Sequence, residues 1–103
     1  MGGFGAVFSL SKIKKMKNPL LVSTMDGVGT KVKIATRMEK WDSVGADIVN
    51  HCANDLLAMG AEPLFFLDYL ASSKIEPEKI RQIVSGMAGA CEAIKCPLVG
   101  GET

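Results

Sequence analysis

At 103 residues the chain has room for one domain with a modest core, and 48% hydrophobic against 22% charged residues marks an ordinary globular composition, excluding disorder. Twelve Lys+Arg against eleven Asp+Glu leave a formal charge of +1, and only 6% of residues are aromatic. Neither a basic field nor a stacking platform for nucleic acid is present. No apolar run reaches the roughly twenty residues of a membrane span, and the N-terminus lacks the pattern of a signal peptide. Three cysteines, an odd number, with one histidine at no zinc-finger spacing, suit a reduced, cytoplasmic setting.

In chain order, Gly2-Gly3-Phe4-Gly5-Ala6 opens as a loose glycine-rich segment, and Lys12, Lys14, Lys15 and Lys17 read as a solvated loop. Leu20 to Thr24 is expected to form the first strand. It delivers the loop Asp26-Gly27-Val28-Gly29-Thr30-Lys31 at its end. An amphipathic helix is predicted from Lys31 to Lys40, carrying Val32, Ala35 and Met38 inward. A second is predicted from Ser43 to Met59, N-capped by Ser43 or Asp42 and stopped by Gly60. Ile48, Val49, Cys52, Ala53, Leu56 and Leu57 fall on one half of it, while Asp47, Asn50, His51, Asn54 and Asp55 share the other.

Leu64 to Leu70 reads as a strand covered on both sides, with Asp68 as its anomaly. Glu76-Pro77 starts a third helix, in which Ile80, Ile83, Val84, Met87, Ala88, Cys91 and Ile94 recur at helical spacing. Gly86 and Gly89 in that helix suggest close approach to a neighbour. Cys52 and Cys91 are expected in the core as small hydrophobes. Pro97 to Val99 forms a last short strand, with Gly100-Gly101-Glu102-Thr103 as the loop beyond it. Ending on such a turn, the chain reads as a piece of something longer.

The chemistry concentrates at the Asp26 loop. A carboxylate offers oxygen to a hard cation, glycines admit phosphate to backbone N–H groups, and Thr30 and Lys31 add a hydroxyl and a positive charge. The loop is neither a Walker A sequence, since the order is Gly29-Thr30-Lys31, nor a dinucleotide fingerprint, since Val32 stands where a third glycine belongs. A plain strand-to-helix turn, whose glycines only supply positive φ, explains the same residues. Asp55, in the last turn of its helix, opposes the macrodipole and would gain from a nearby cation, although full exposure also accounts for it. Glu102 is the third acid at a turning point. Were Asp26, Asp55 and Glu102 to converge, magnesium with a triphosphate would answer their repulsion; at least two are expected close enough to share one hydrated cation.

Gly2 to Ala6, Asp26 to Lys31, Cys52-Ala53-Asn54-Asp55-Leu56, Gly60 to Tyr69 and Gly100 to Thr103 together resemble, in order, the phosphoribosylformylglycinamidine cyclo-ligases of purine biosynthesis. The Gly60–Tyr69 block separates that family from thiamine-monophosphate kinase, selenophosphate synthetase, the hydrogenase maturation protein and formylglycinamidine synthase. The resemblance implies an α+β N-terminal domain over 1–103, with a mixed, largely antiparallel sheet and helices on one face. It also implies a homodimer in which the sheets of two subunits pair into a barrel, and ATP with Mg2+ at the interface. By the same resemblance Asp26, Lys31 and Asp55 are catalytic, and Asp26, Asp55 and Glu102 are the metal-side carboxylates. Gly27, Gly29, Thr30, Lys31, Asn54, Gly100 and Gly101 are nucleotide neighbours, and Gly2 to Ala6 is a mobile segment near the site. The substrate would be formylglycinamidine ribonucleotide, closed by ATP to aminoimidazole ribonucleotide. His51 departs from the family pattern and is read as a substitution without a catalytic role. The C-terminal domain that the resemblance calls for is not in the chain, so the piece alone is expected to be inactive. The competing readings are a non-catalytic dimerisation module and the ATP-binding domain of a related enzyme, such as thiamine-monophosphate kinase, selenophosphate synthetase or formylglycinamidine synthase.

Overall fold

The computed structural model describes residues 4–103, so Gly2 and Gly3 of the opening segment lie outside the described residues. A 3-10 turn at Leu10–Ile13 is followed by helix α1 (Lys31–Met38), helix α2 (Asp42–Ala58), strand β1 (Phe66–Tyr69), helix α3 (Pro77–Ala93) and strand β2 (Leu98–Glu102). The lysines at 12, 14, 15 and 17 are exposed, as expected of a solvated loop. The class is α+β, but the sheet is not antiparallel. β1 and β2 pair in parallel, Phe66 opposite Leu98 and Tyr69 opposite Glu102, with an irregularity after Phe66. Connectivity explains the correction: α3 carries the chain back along the sheet, so the next strand re-enters in the same direction.

α2 and α3 form the centre, and glycine brings them together. A Cβ at Gly86 would collide with the Asp42 carbonyl, and one at Gly45 with the Ile83 carbonyl. Gly89 meets nothing within 4 Å, so close approach holds at Gly86 only. Ile83 joins two buried groups, Ala35 with Trp41 and Val44, and Val49 with Met87 and Cys91. Cys52 and Cys91 are buried as expected, and Cys96 joins them at 2% exposure. Lys79 stacks its ammonium 4.6 Å from the Trp41 ring centroid.

Helix boundaries follow local chemistry. α3 begins with Pro77 at its first position, as Glu76-Pro77 predicts. α2 ends in a Schellman turn: the Gly60 N–H donates to the Leu57 carbonyl at 2.9 Å and the Ala61 N–H to that of Leu56 at 2.9 Å, with Gly60 at φ 70°. α3 ends the same way, the Cys96 N–H donating to the Cys91 carbonyl at 2.9 Å, but Lys95 takes the left-handed position at φ 55°. The start of α2 differs from expectation. Trp41 is the N-cap, makes no side-chain cap, and donates its N–H to Gln82 Oε1 at 3.1 Å. α1 stops at Met38, where Glu39 turns left-handed, and buries only Ala35 while Val32 and Met38 stay exposed.

Three further expectations change. Leu20 to Thr24 forms no strand, because nothing among the described residues offers it a ladder, and Leu20 is 93% exposed. β1 is covered on one side only: Leu64, Phe66, Asp68 and Leu70 are half-buried, while Phe65, Leu67 and Tyr69 face outward. Gly100, Gly101 and Glu102 belong to β2 and not to a loop after it.

Candidate functional site

The polar half of α2 organises the site. Asp47, His51 and Asp55 recur every four residues and so form one ridge along the helix. Each meets a residue of the segment that leads into α1 or of its first position. Lys31 Nζ lies 3.1 Å from Asp47 Oδ2, His51 Nε2 lies 2.8 Å from Asp26 Oδ2, and Thr24 Oγ1 donates to Asp55 Oδ2 at 3.4 Å. The two segments run in opposite directions, with three contacts between them.

Asp26 is held by its own turn. The Gly27 N–H donates to Asp26 Oδ1 at 2.7 Å, leaving Oδ2 to His51. That N–H, and then the His51 side chain, hold the Asp26 carboxyl below its ordinary pKa. Beneath the loop sits the buried Cys52 thiol, which desolvation pushes upward in pKa. Gly29 adopts φ 76°, a left-handed turn that glycine permits, and leads into α1. Thr30 is the N-cap of α1 but makes no side-chain cap, so its hydroxyl is not committed there.

One ligand atom each from Asp26, His51 and Asp55 lies within 4.8 Å of the other two, and all three residues are exposed. Two of the three acids singled out in the sequence therefore converge. Glu102 is outside this cluster: it ends β2 opposite Tyr69, its carbonyl accepting the Leu70 N–H at 2.8 Å. Gly100 and Gly101 lie beside it, and the Asp68 carboxylate occupies the space a Cβ at Gly101 would need. Glycine at 101 thus leaves room for the acid of the neighbouring strand. Asn54 is exposed on α2, next to Asp55. The cluster opens beside a concavity of about 1660 Å³, lined by Thr24, Asp26 and Gly27 on one side and by Val49, Cys52 and Phe66 on another.

Sequence reasoning set His51 aside, yet it is the residue in direct contact with Asp26. The available signal was its spacing, one turn before Asp55 and one after Asp47 on the polar half.

The donor set suits a hard cation. Carboxylate oxygens of Asp26 and Asp55 lie within 4.8 Å of one another at an exposed position where water can complete an octahedron, as magnesium requires.

Residues 5–103 match the family described as AIR synthase related protein, N-terminal domain, and the chain belongs to that family. It is similar to proteins named phosphoribosylformylglycinamidine cyclo-ligase: 54% identical to that of Desulfitobacterium hafniense over 103 residues, 100% of this chain and 30% of the relative. The corresponding values are 55%, 100% and 29% for Trichlorobacter lovleyi, and 57%, 100% and 30% for Bacillus pumilus. The chain thus spans about 30% of the length of the curated relatives it matches. Among the described residues, no helix is long and apolar enough to cross a membrane.

Proposed function

We propose that this chain is the ATP- and magnesium-binding N-terminal part of a phosphoribosylformylglycinamidine cyclo-ligase, a cytoplasmic enzyme of purine biosynthesis that acts as a homodimer. The relatives' shared name and the full coverage of this chain support the parent activity. The observation that carries the site is the approach of Asp26 to Asp55 beside the glycine turn. In this reading Asp26 and Asp55 hold Mg2+ on the triphosphate of ATP, and Gly27, Gly29 and Thr30 present amides and a hydroxyl to its oxygens. Lys31 pairs with Asp47 across an exposed surface, where such a pair is weak, so its ammonium is free to exchange Asp47 for phosphate. Asn54, Gly100, Gly101 and Glu102 stand as further nucleotide and metal neighbours.

ATP supplies the activation of the formyl-amide oxygen of formylglycinamidine ribonucleotide. A nitrogen of the same substrate then closes the ring, an intramolecular step favoured by tethering. The outward face of β1, with Leu67 54% and Tyr69 77% exposed, is assigned to the second subunit, whose sheet would pair with this one in a barrel.

Calorimetric titration with a non-hydrolysable ATP analogue and Mg2+ tests the site. Saturable binding is expected, and Asp55→Asn should weaken it at least about tenfold, roughly 1.4 kcal/mol. Equal binding by the variant would remove Asp55 from the site; no binding by either would leave a dimerisation module. Joining the chain to the remainder of the relatives' length and assaying ring closure tests the parent activity.

A further inference from the structure

We propose that Cys91 and Cys96 form a dithiol pair that a peroxide converts into a disulfide, stapling the end of α3 to the residue that leads into β2. The pair lies outside the nucleotide site proposed above and does not depend on it. Backbone geometry is the first argument. α3 closes in a Schellman turn, in which the Cys96 N–H donates to the Cys91 carbonyl at 2.9 Å and the Lys95 N–H to the Glu92 carbonyl at 3.0 Å. Such a turn sets the side chains at its two ends against each other, often as an apolar contact. Here both ends are thiols. With standard bond lengths, the 2.9 Å hydrogen bond holds the two Cα atoms within about 6.8 Å of each other. A disulfide spans roughly 4.4–6.8 Å between Cα atoms, so the bond forms without moving the backbone.

Environment is the second argument. Both thiols are free and buried, and both residues line a shallow groove of about 470 Å³ bounded by Ala88, Lys95 and Leu98, with room for a molecule of peroxide's size. Ionisation of Cys91 is opposed by burial and then by the charge of Cys96, which puts each sulfur in the other's field. Burial alone raises Cys96, so Cys96 ionises first. Its thiolate attacks one peroxide oxygen, the O–O bond breaks, and a sulfenic acid forms as hydroxide leaves and is protonated to water. The Cys91 thiolate then attacks the sulfenic sulfur: the S–S bond forms, the S–O bond breaks, and the second hydroxide leaves as water. Two thiols and one peroxide thus give one disulfide and two waters, a two-electron oxidation. Proximity favours this second step over further oxidation of the sulfenic acid. Cys52 stands apart on α2, where Asp26 and Asp55 act on it and neither of these sulfurs does. The cross-link would tie α3 to the sheet, because the Pro97 carbonyl, next to Cys96, accepts the Phe66 N–H at 2.9 Å.

The sequence makes the test direct, since trypsin cleaves after Lys95 and parts Cys91, in 82–95, from Cys96, in 96–103, while Cys52 leaves in 41–74. The reduced 103-residue chain is treated with hydrogen peroxide at mildly alkaline pH, its remaining thiols are alkylated in urea, and it is digested without reduction and weighed by mass spectrometry. Expected is one linked species joining 82–95 to 96–103, lost on adding dithiothreitol, with Cys52 recovered alkylated. The oxidised chain should unfold at a higher urea concentration than the reduced one. In glutathione buffers the effective concentration of the pair should be at least tenfold higher in the folded chain than in concentrated urea. Three alkylated cysteines, sulfinic acid at Cys91 or Cys96 without a link, a link through Cys52, or an effective concentration no higher than in urea would each overturn the proposal. A lower urea midpoint for the oxidised chain would overturn the stapling of α3 to β2.

Discussion

A thiol with 3% of its residue surface exposed resists ionisation, and Cys91 shows the consequence. Burial, and then the neighbouring Cys96, push its pKa up to about 11 from 9.0. Below pH 9 both folded and unfolded chains keep this proton. Between 9 and 11 the unfolded chain has lost it while the folded chain retains it, so stability falls as pH rises through that window. Denaturation midpoints measured across this range should decline, and Cys91→Ala should decline less steeply. At neutral pH the thiolate fraction of Cys91 is about a hundredfold below that of an unshifted thiol, so reaction with a disulfide reagent should be slower by at least that factor until the chain unfolds. The burial of Cys52 and Cys91 was readable from helical spacing alone. The contact of His51 with Asp26 was not, because spacing places a residue on a face without saying which loop lies over it.

At the level of elements, the α2–α3 crossing sets the stability of the molecule. Gly86→Ala drives a methyl into the Asp42 carbonyl and is expected to destabilise by about 1–3 kcal/mol, despite alanine's better helix propensity. Gly89→Ala enters open space and should stabilise by roughly 0.5–1 kcal/mol. Urea denaturation of the two variants reads both signs in one experiment. The helices were legible because their apolar period, their proline start and their glycine stop agree with one another. The first strand was misread because an apolar run such as Leu20 to Thr24 reports burial tendency, whereas a strand needs a partner, and pairing is a property of two segments. The same limit hid the extension of β2 through Gly100 and Gly101, which depends on their register with Leu67 and Asp68.

For the whole molecule, the α+β class was legible and the strand direction was not. Direction follows from which strands neighbour one another in space, and the helix between β1 and β2 decides it here. The outward face of β1 carries the proposal of a homodimer to a direct measurement. Sedimentation velocity should show a concentration-dependent dimer, and Leu67→Glu, at a position already 54% exposed, should shift it to monomer with the fold retained. A dimer unaffected by that charge would place the interface elsewhere. Convergence of at least two of Asp26, Asp55 and Glu102 was anticipated; the three contacts around Asp26 and Asp55 were not. Because Lys31 meets Asp47, Asp26 meets His51 and Thr24 meets Asp55, the segment through the glycine turn is laid antiparallel along α2. One residue added or removed between Asp26 and Lys31 would move Lys31 relative to Asp47 while Asp26 stays with His51, so the exposed ion pair at Lys31 is the first contact that a change of turn length would break.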